Sequence, residues 1–502
     1  MMPVGTFCLV LHSHLPWLAH HGRWPVGEEW LHQAWAQSYS PLLDMLQGLG
    51  ARGYRDLLTI GVTPVLAAQL DDPYCRGEQH RWLADWALRA DNLSGARDET
   101  LRRLGVRESR LAREALRRFE AQWSAGGSPL WRTLMDAGVV EVLGGPATHP
   151  VLPLVREPVA HLALESGLDD HARRLGTRPA GIWLPECAYE PGVETTVGAH
   201  GVTHLMLDGP TLRHVGAGTD RAWWLADSGI AVVGRDLDVT YRVWSPRRGY
   251  PGGRWYRDFH SYHHESGLKL SRVTGPSVPA EGKAPYEPDR ARVAIEADAE
   301  DFVATLHRRF AEITSTSGRP GLVVAAYDTE LFGHWWHEGV DWLATVLTRL
   351  ADSPIEVTTL SGALGRMPPQ SSVHPGRGSW GLGKDLAVWE GDAVADMLAG
   401  QRWAQDALVQ AARDGLPATH GRDPWLDVLA EEVLLASASD WPFMVSHASS
   451  VEYARSRHDG HRQAVQHRLT HRSLADDRPQ ERPFGRVDAR ALTRAVTRRG
   501  QG

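Results

Sequence analysis

The sequence predicts an α/β protein: a parallel barrel carrying a helical insertion and an all-helical C-terminal domain. Three observations support that reading. Short apolar, β-branched runs alternate with segments of helical periodicity, the pattern of a parallel sheet covered by helices. Seven such runs occur, enough to close a barrel. Two of them end on carboxylates framed by turn residues, where barrel enzymes keep their chemistry.

The seven runs are 6–11, 57–61, 139–143, 181–184, 203–207, 230–234 and 322–327. Helical periodicity fills 29–49, 159–175 and 298–313 between them. Segment 355–360 reads as an eighth strand or a capping element. Interval 71–128 is long, charged and helix-periodic, so it reads as an insertion that divides the barrel into 1–70 and 129–370. Interval 235–277 is rich in Gly, Pro, Tyr, His and Arg, and a connection of that length inside a compact domain is usually functional. After a glycine-rich loop near Trp380, helical patterns at 387–414, 424–438 and 449–469 form a C-terminal domain spanning 371–476. Residues 477–502, rich in Arg and Pro, read as a mobile tail.

Composition excludes several classes. A formal charge of −7 over 502 residues argues against nonspecific nucleic-acid binding through a dominant positive field. Fifty-one Arg stand against only Lys269, Lys283 and Lys384, which reads as genome composition. Cys8, Cys75 and Cys187 are too few and too scattered for a disulfide framework or a CxxC metal site. No secretory leader pattern or membrane-length apolar stretch is evident, so a cytoplasmic protein with no membrane partner is the default expectation. The 21 Trp outnumber both the 11 Tyr and the 8 Phe. Several stand in loop or strand-end contexts, where an indole can stack on a pyranose ring.

The chemistry-bearing residues cluster at the strand ends. Glu186 follows an apolar run and a proline, and Asp328 ends the run 322–327 within a stretch of Trp and His. Two such carboxylates suit glycosidic cleavage, one as nucleophile and one as proton donor and acceptor, provided their environments separate their pKa values. Glu190 and Glu330 stand close enough in sequence to orient the pair, while Glu338 is accounted for by a helix start. His12 and His14, at i and i+2 on a strand, share one face. That arrangement suits either sugar hydroxyls or, with His149, a metal ion. No P-loop or Gly-x-Ser-x-Gly elbow is present.

These stretches resemble glycoside hydrolase family 57, and within it the branching subgroup. His12-Ser-His14-Leu-Pro-Trp17 is similar to its first motif and Gly144-Gly-Pro-Ala-Thr-His149 to its second. Trp183-Leu-Pro-Glu186-Cys-Ala-Tyr is similar to the third, Tyr327-Asp-Thr-Glu-Leu-Phe-Gly-His-Trp-Trp to the fourth, and Gly378-Ser-Trp380 with Trp389 to the fifth. The resemblance implies an incomplete (β/α)7 barrel and cofactor-free chemistry on an α-glucan. It implies Glu186 as nucleophile and Asp328 as general acid/base, with His12, His14 and His149 around the sugar. Trp30, Trp380 and Trp389 would stack on the glucan and Asp440 would shape the acceptor side. Tyr250 would cap the site from a loop tip, and Arg272 would be a further substrate-binding residue.

The expected activity is cleavage of α-1,4 links and transfer to a C6 hydroxyl, giving α-1,6 branches. Alternatives are an α-amylase or 4-α-glucanotransferase on the same carboxylates. More distant ones are a metal-dependent deacetylase or mannosidase, or a noncatalytic glucan-binding protein. Oligomeric state is not legible in the sequence.

Overall fold

The computed structural model describes residues 3–245, 249–415, 421–472, 474, 481–485 and 487–499. Its strands are β1 (Gly5–Ser13), β2 (Leu58–Val62), β3 (Val140–Leu143), β4 (Gly181–Ile182), β5 (His204–Leu207), β6 (Trp223–Leu225), β7 (Ile230–Gly234), β8 (Gly321–Asp328), β9 (Ile355–Val357) and β10 (Ser372–Val373). One sheet runs β3-β2-β1-β8 and the other β10-β6-β7-β5-β4. Parallel bridges between Gly144 and Ile182 and between Arg235 and Val324 join them at two seams. The ring β1-β2-β3-β4-β5-β7-β8 therefore closes with seven parallel strands, one for each apolar run in the sequence. β9 pairs with the start of β1 outside the ring and leads into helix Leu360–Arg366, so segment 355–360 caps rather than extends the barrel. β6, which pairs antiparallel with β7, and the short β10 were not legible as runs.

Alternation along the strands sorts the core into an inside and an outside. Cys8, Val10, Val324, Ala326, Leu143, Met206 and Val233 pack together within the ring. Phe7, Leu9, Leu11, Val323 and Ala325 pack outward against the helices. β1, paired on both sides and buried along its whole length, is the continuous apolar strand expected at the centre of a covered parallel sheet.

The insertion is a helical hairpin, Pro73–Ser94 and Glu99–Gln122. Each helix begins on an aspartate that accepts a backbone N–H, Asp72 from Cys75 at 2.9 Å and Asp98 from Leu101 at 2.8 Å. Such caps contribute about 1 kcal/mol apiece. Interval 235–277 is not one open loop, because it holds helix Leu237–Val243 and a turn at Tyr250–Gly252 and pairs Arg257 with Arg272.

The C-terminal part consists of helices Ala395–Gly415, Pro424–Ala436, Asp440–Ser446 and Val451–His471. The tail expected to be mobile instead carries helix Arg490–Arg499, which packs on helices Glu157–Leu175 and Ala395–Gly415. Its Leu492 and Val496, on one helical face, are buried. That short apolar stripe was hidden by the surrounding Arg. Residues 477–480, 486 and 500–502 of the expected tail lie outside the described residues. Among the described residues no helix is long and apolar enough to cross a membrane.

Candidate active site

The inward-facing rows of β1 and β8 end in ionisable groups. Cys8 and Val10 lead to His12, and Val324 and Ala326 lead to Asp328, with His12 and Asp328 opposite each other in the pairing register. Gly61 on β2 makes room for them, since a Cβ there would stand 3.2 Å from His12 Nδ1.

After β4 the chain makes one tight turn, Pro185–Cys187. Glu186 and Cys187 take φ values of 61° and 48°, a left-handed conformation that costs a side-chain-bearing residue about 1–2 kcal/mol. Tertiary contacts hold it there. Cys187 N–H donates to Leu184 O at 2.8 Å, and Trp380 N–H donates to Glu186 O at 2.9 Å. Strain maintained by surrounding structure is typical of functional positions.

Both oxygens of the Glu186 carboxylate accept a hydrogen bond. Trp380 Nε1–H donates to Oε2 at 2.9 Å, and Ser439 Oγ–H to Oε1 at 2.8 Å. Ser439 Oγ also lies 2.9 Å from His149 Nδ1, and His149 Nε2 lies 3.0 Å from His12 Nε2. Because the serine donates to the carboxylate, it must accept from His149 Nδ1–H, which makes His149 Nε2 an acceptor and His12 Nε2 a donor. Burial holds both imidazoles well below the usual histidine range, in keeping with neutral rings. The result is a directed relay of donors ending on Glu186.

His14 behaves differently. Burial disfavours its cation, but Asp440 at 2.9 Å outweighs this and raises the pKa. Its other nitrogen lies 3.0 Å from Thr63 Oγ1. The three imidazoles stack, with His14 and His149 4.0 Å apart by centroid, and Trp183 covers His12 at 4.3 Å.

Asp328 is half-buried and accepts no hydrogen bond on its carboxylate from the described residues. Burial and then the negative charge of Glu186 push it up to about 7, against the opposing pull of Arg235 and His14. Glu186 is also raised by burial, but the Trp380 and Ser439 donors favour its anion. When one proton is shared between the pair, it therefore resides on Asp328.

A π-helix, Trp35–Tyr39, fixes the segment that follows Asp328. Gln37 Oε1 meets His334 Nδ1 at 3.0 Å, Ser38 Oγ donates to Thr329 O at 2.8 Å, and the Tyr39 hydroxyl donates to Glu330. Burial and then the charge of Asp328 raise Glu330 to about 8.

Of the residues singled out in the sequence, Glu186, Asp328, His12, His14, His149, Trp380 and Asp440 converge. Trp380 is half-buried, and so is Trp30, whose ring lies edge-to-face with Tyr453 at 6.4 Å. Three expectations are corrected. Trp389 is 1 % exposed in an apolar cluster with Val151, Leu386 and Leu398, so it supports the Trp380 loop from behind rather than offering a stacking face. Tyr250 is also buried, with its hydroxyl on Asp301 at 2.6 Å and its ring against Trp336 and Trp342, so it is not a loop tip. Arg272 is engaged by Glu287, the Arg254 carbonyl and the Trp255 ring, away from the carboxylates' own contacts.

Sequence reasoning missed Ser439, Arg235 and Asp208. Arg235 lies 5.2 Å from the Trp380 ring and donates to Asp208 at 2.7 Å. Both follow apolar runs directly, so the strand-end rule that found Glu186 and Asp328 would have found them. Among the described residues no group of three or more His, Cys, Asp or Glu is arranged to hold a metal ion. His12 and His149 direct their facing nitrogens at each other.

Residues 8–374 match the family described as Glycosyl hydrolase family 57, and residues 401–490 match "1,4-alpha-glucan branching enzyme, C-terminal". The chain belongs to glycosyl hydrolase family 57. A probable 1,4-alpha-glucan branching enzyme of Mycobacterium tuberculosis is 46% identical over 97% of this chain and 98% of its own length. The crystal structure of a GH57-type branching enzyme from Pyrococcus horikoshii superposes with a TM-score of 0.88 at 33% identity, covering 99% of this chain and 95% of that one. An α-amylase structure from Thermotoga maritima shares the fold, with a TM-score of 0.84 at 23% identity over 98% of this chain and 99% of that one.

Proposed function

We propose that this chain is a 1,4-α-glucan branching enzyme that works by double displacement. The observation that carries the proposal is the part played by the C-terminal helices in the site: Ser439 donates to Glu186, and Asp440 pairs with His14. The segment matching the branching-enzyme C-terminal family thus helps to set the state of the candidate nucleophile.

In the first step a Glu186 oxygen bonds to the anomeric carbon of an α-1,4-linked residue. The glycosidic C–O bond breaks, and the Asp328 proton passes to the departing O4. The donor chain is then an ester on Glu186, and Asp328 is a carboxylate. In the second step a glucan C6 hydroxyl gives its proton to Asp328 and attacks the same carbon, releasing Glu186 and leaving an α-1,6 link. Water in place of that hydroxyl gives hydrolysis. The outcome depends on which hydroxyl is positioned against the ester, with the rings of Trp380 and Trp30 as candidate platforms.

Proton NMR of amylose incubated with the purified chain tests this directly. Many new α-1,6 signals with few new reducing ends support branching. New reducing ends without branches would leave a hydrolase on the same pair.

A further inference from the structure

A cavity of ≈ 330 Å³ lies between the insertion hairpin, the π-helix region and the segment after Asp328. Neither Glu186, Asp328 nor any of the three stacked histidines lines it. Its walls include Trp86, Trp335 and Phe259, and its polar lining includes Lys269, Arg107 and His334.

Lys269 is the feature in need of a partner. It is 7 % exposed, and its Nζ has no hydrogen-bond partner among the described residues. Among the described residues, the rings of Phe259, at 3.8 Å, and Tyr262, at 5.2 Å, face the ammonium. Burying a cation without a counter-ion is costly.

The nearby acids are otherwise engaged. Asp258 is paired with Lys283 and accepts from Ser261 N–H, while Glu29 accepts from Trp82 at 2.9 Å and Gln33 at 2.8 Å. At the rim, Asp44 and Glu114 are paired with Arg118, and Asp341 is on an exposed position facing the charge of Arg107. Burial and then Arg257 pull Lys269 down to about 7, against Asp258 and Glu29. Arg107 adds a second cation: its guanidinium lies 3.6 Å from Glu108 and 3.4 Å from His337 Nε2, and its Nη1 makes no hydrogen bond among the described residues.

His334 supplies the complement. Burial pulls it down to about 3, so it is neutral, and its Nδ1–H serves Gln37. Nε2 is therefore left as an acceptor for a hydroxyl. We propose that this cavity is a second ligand site, for a monosaccharide bearing one anionic group, with the anion on Lys269 and Arg107, a hydroxyl on His334 and the ring against Trp86, Trp335 and Phe259. The volume sits at the lower end of ligand pockets, roughly 300–1,000 Å³, which suits one sugar ring rather than a glucan chain.

Isothermal titration of the full chain with glucose 6-phosphate, glucuronate and neutral maltose tests the proposal and separates phosphate from carboxylate. Saturable binding of at least one charged sugar is expected. Lys269→Met should weaken it by about tenfold or more, while Lys269→Arg stays within about threefold. Because the Lys269 cation prevails below its pKa, binding should be tighter at about pH 6 than at about pH 8. Lys269→Met should also melt no lower than the native chain, since it removes an unpaired buried charge. Binding of neither charged sugar, or unchanged affinity for the charged sugars in Lys269→Met, would each overturn the proposal; maltose, which the Glu186–Asp328 site can also bind, should be unaffected by Lys269→Met.

Discussion

Glu186 and Asp328 end two strands of one barrel, yet their surroundings are opposite. Glu186 sits in a strained turn with a hydrogen-bond donor on each carboxylate oxygen, supplied by Trp380 and Ser439. Asp328 sits on regular strand, with no donor among the described residues and a negative neighbour. Burial raises both pKa values, and only Glu186 has donors that restore its anion. The contrast shows that two buried carboxylates need not compete for the same role. The one stabilised by donors can attack, while the one that is only desolvated can carry the proton.

The contrast breaks most severely at the proposed attacking group. Glu186→Gln is expected to lower kcat by about 10⁴-fold or more on every glucan, measured by single-turnover kinetics. Asp328→Asn should cost about 10²–10⁴-fold on amylose and much less on α-glucosyl fluoride, whose leaving group needs little protonation. In the native chain, kcat/KM for amylose should fall as pH rises through about 7, where Asp328 loses its proton. Loss of this limb in Asp328→Asn with the fluoride would sharpen the assignment.

Ser439→Ala probes the donor side. It removes a charge-assisted hydrogen bond of about 1.5–3 kcal/mol, so kcat should drop about 10–100-fold. The acid limb of the pH profile should move upward, because the Glu186 anion is then less favoured. An unmoved acid limb would mean that Ser439 serves only packing.

The smaller effects concern residues whose expected roles changed. Trp389→Ala should lower stability by about 3–5 kcal/mol in denaturant titration. Trp389→Phe should leave KM for amylose within about twofold. Tyr250→Phe removes the bond to Asp301, costs about 1 kcal/mol and should leave the ratio of branches to reducing ends unchanged. A large shift of that ratio would return Tyr250 to the site.

These corrections mark where the sequence stopped being readable. The barrel strands were legible because a buried parallel strand is a continuous apolar run, and the carboxylates were legible because they end such runs. The same rule reaches Asp208 and Arg235. Ser439 is different: it acts on a residue 253 positions away, and no local pattern announces that contact. Tyr250 stands in a stretch whose Gly and Pro content suggests an exposed loop, and Trp389 stands just after the glycine-rich loop at Trp380. The burial of Tyr250 is set by Asp301 and Trp342, on helices distant in sequence, and that of Trp389 by Leu398 on the next long helix and by Val151.

The most direct test of the account is to trap the ester. Asp328→Asn mixed with α-glucosyl fluoride should form the glucosyl enzyme faster than it is discharged, because the second step still needs a base. Peptide fragmentation by mass spectrometry should then place one added glucosyl unit on Glu186. A glucosyl unit on Glu190 or Glu330, or rapid fluoride release with no labelled peptide, would contradict the assignment of Glu186 as nucleophile.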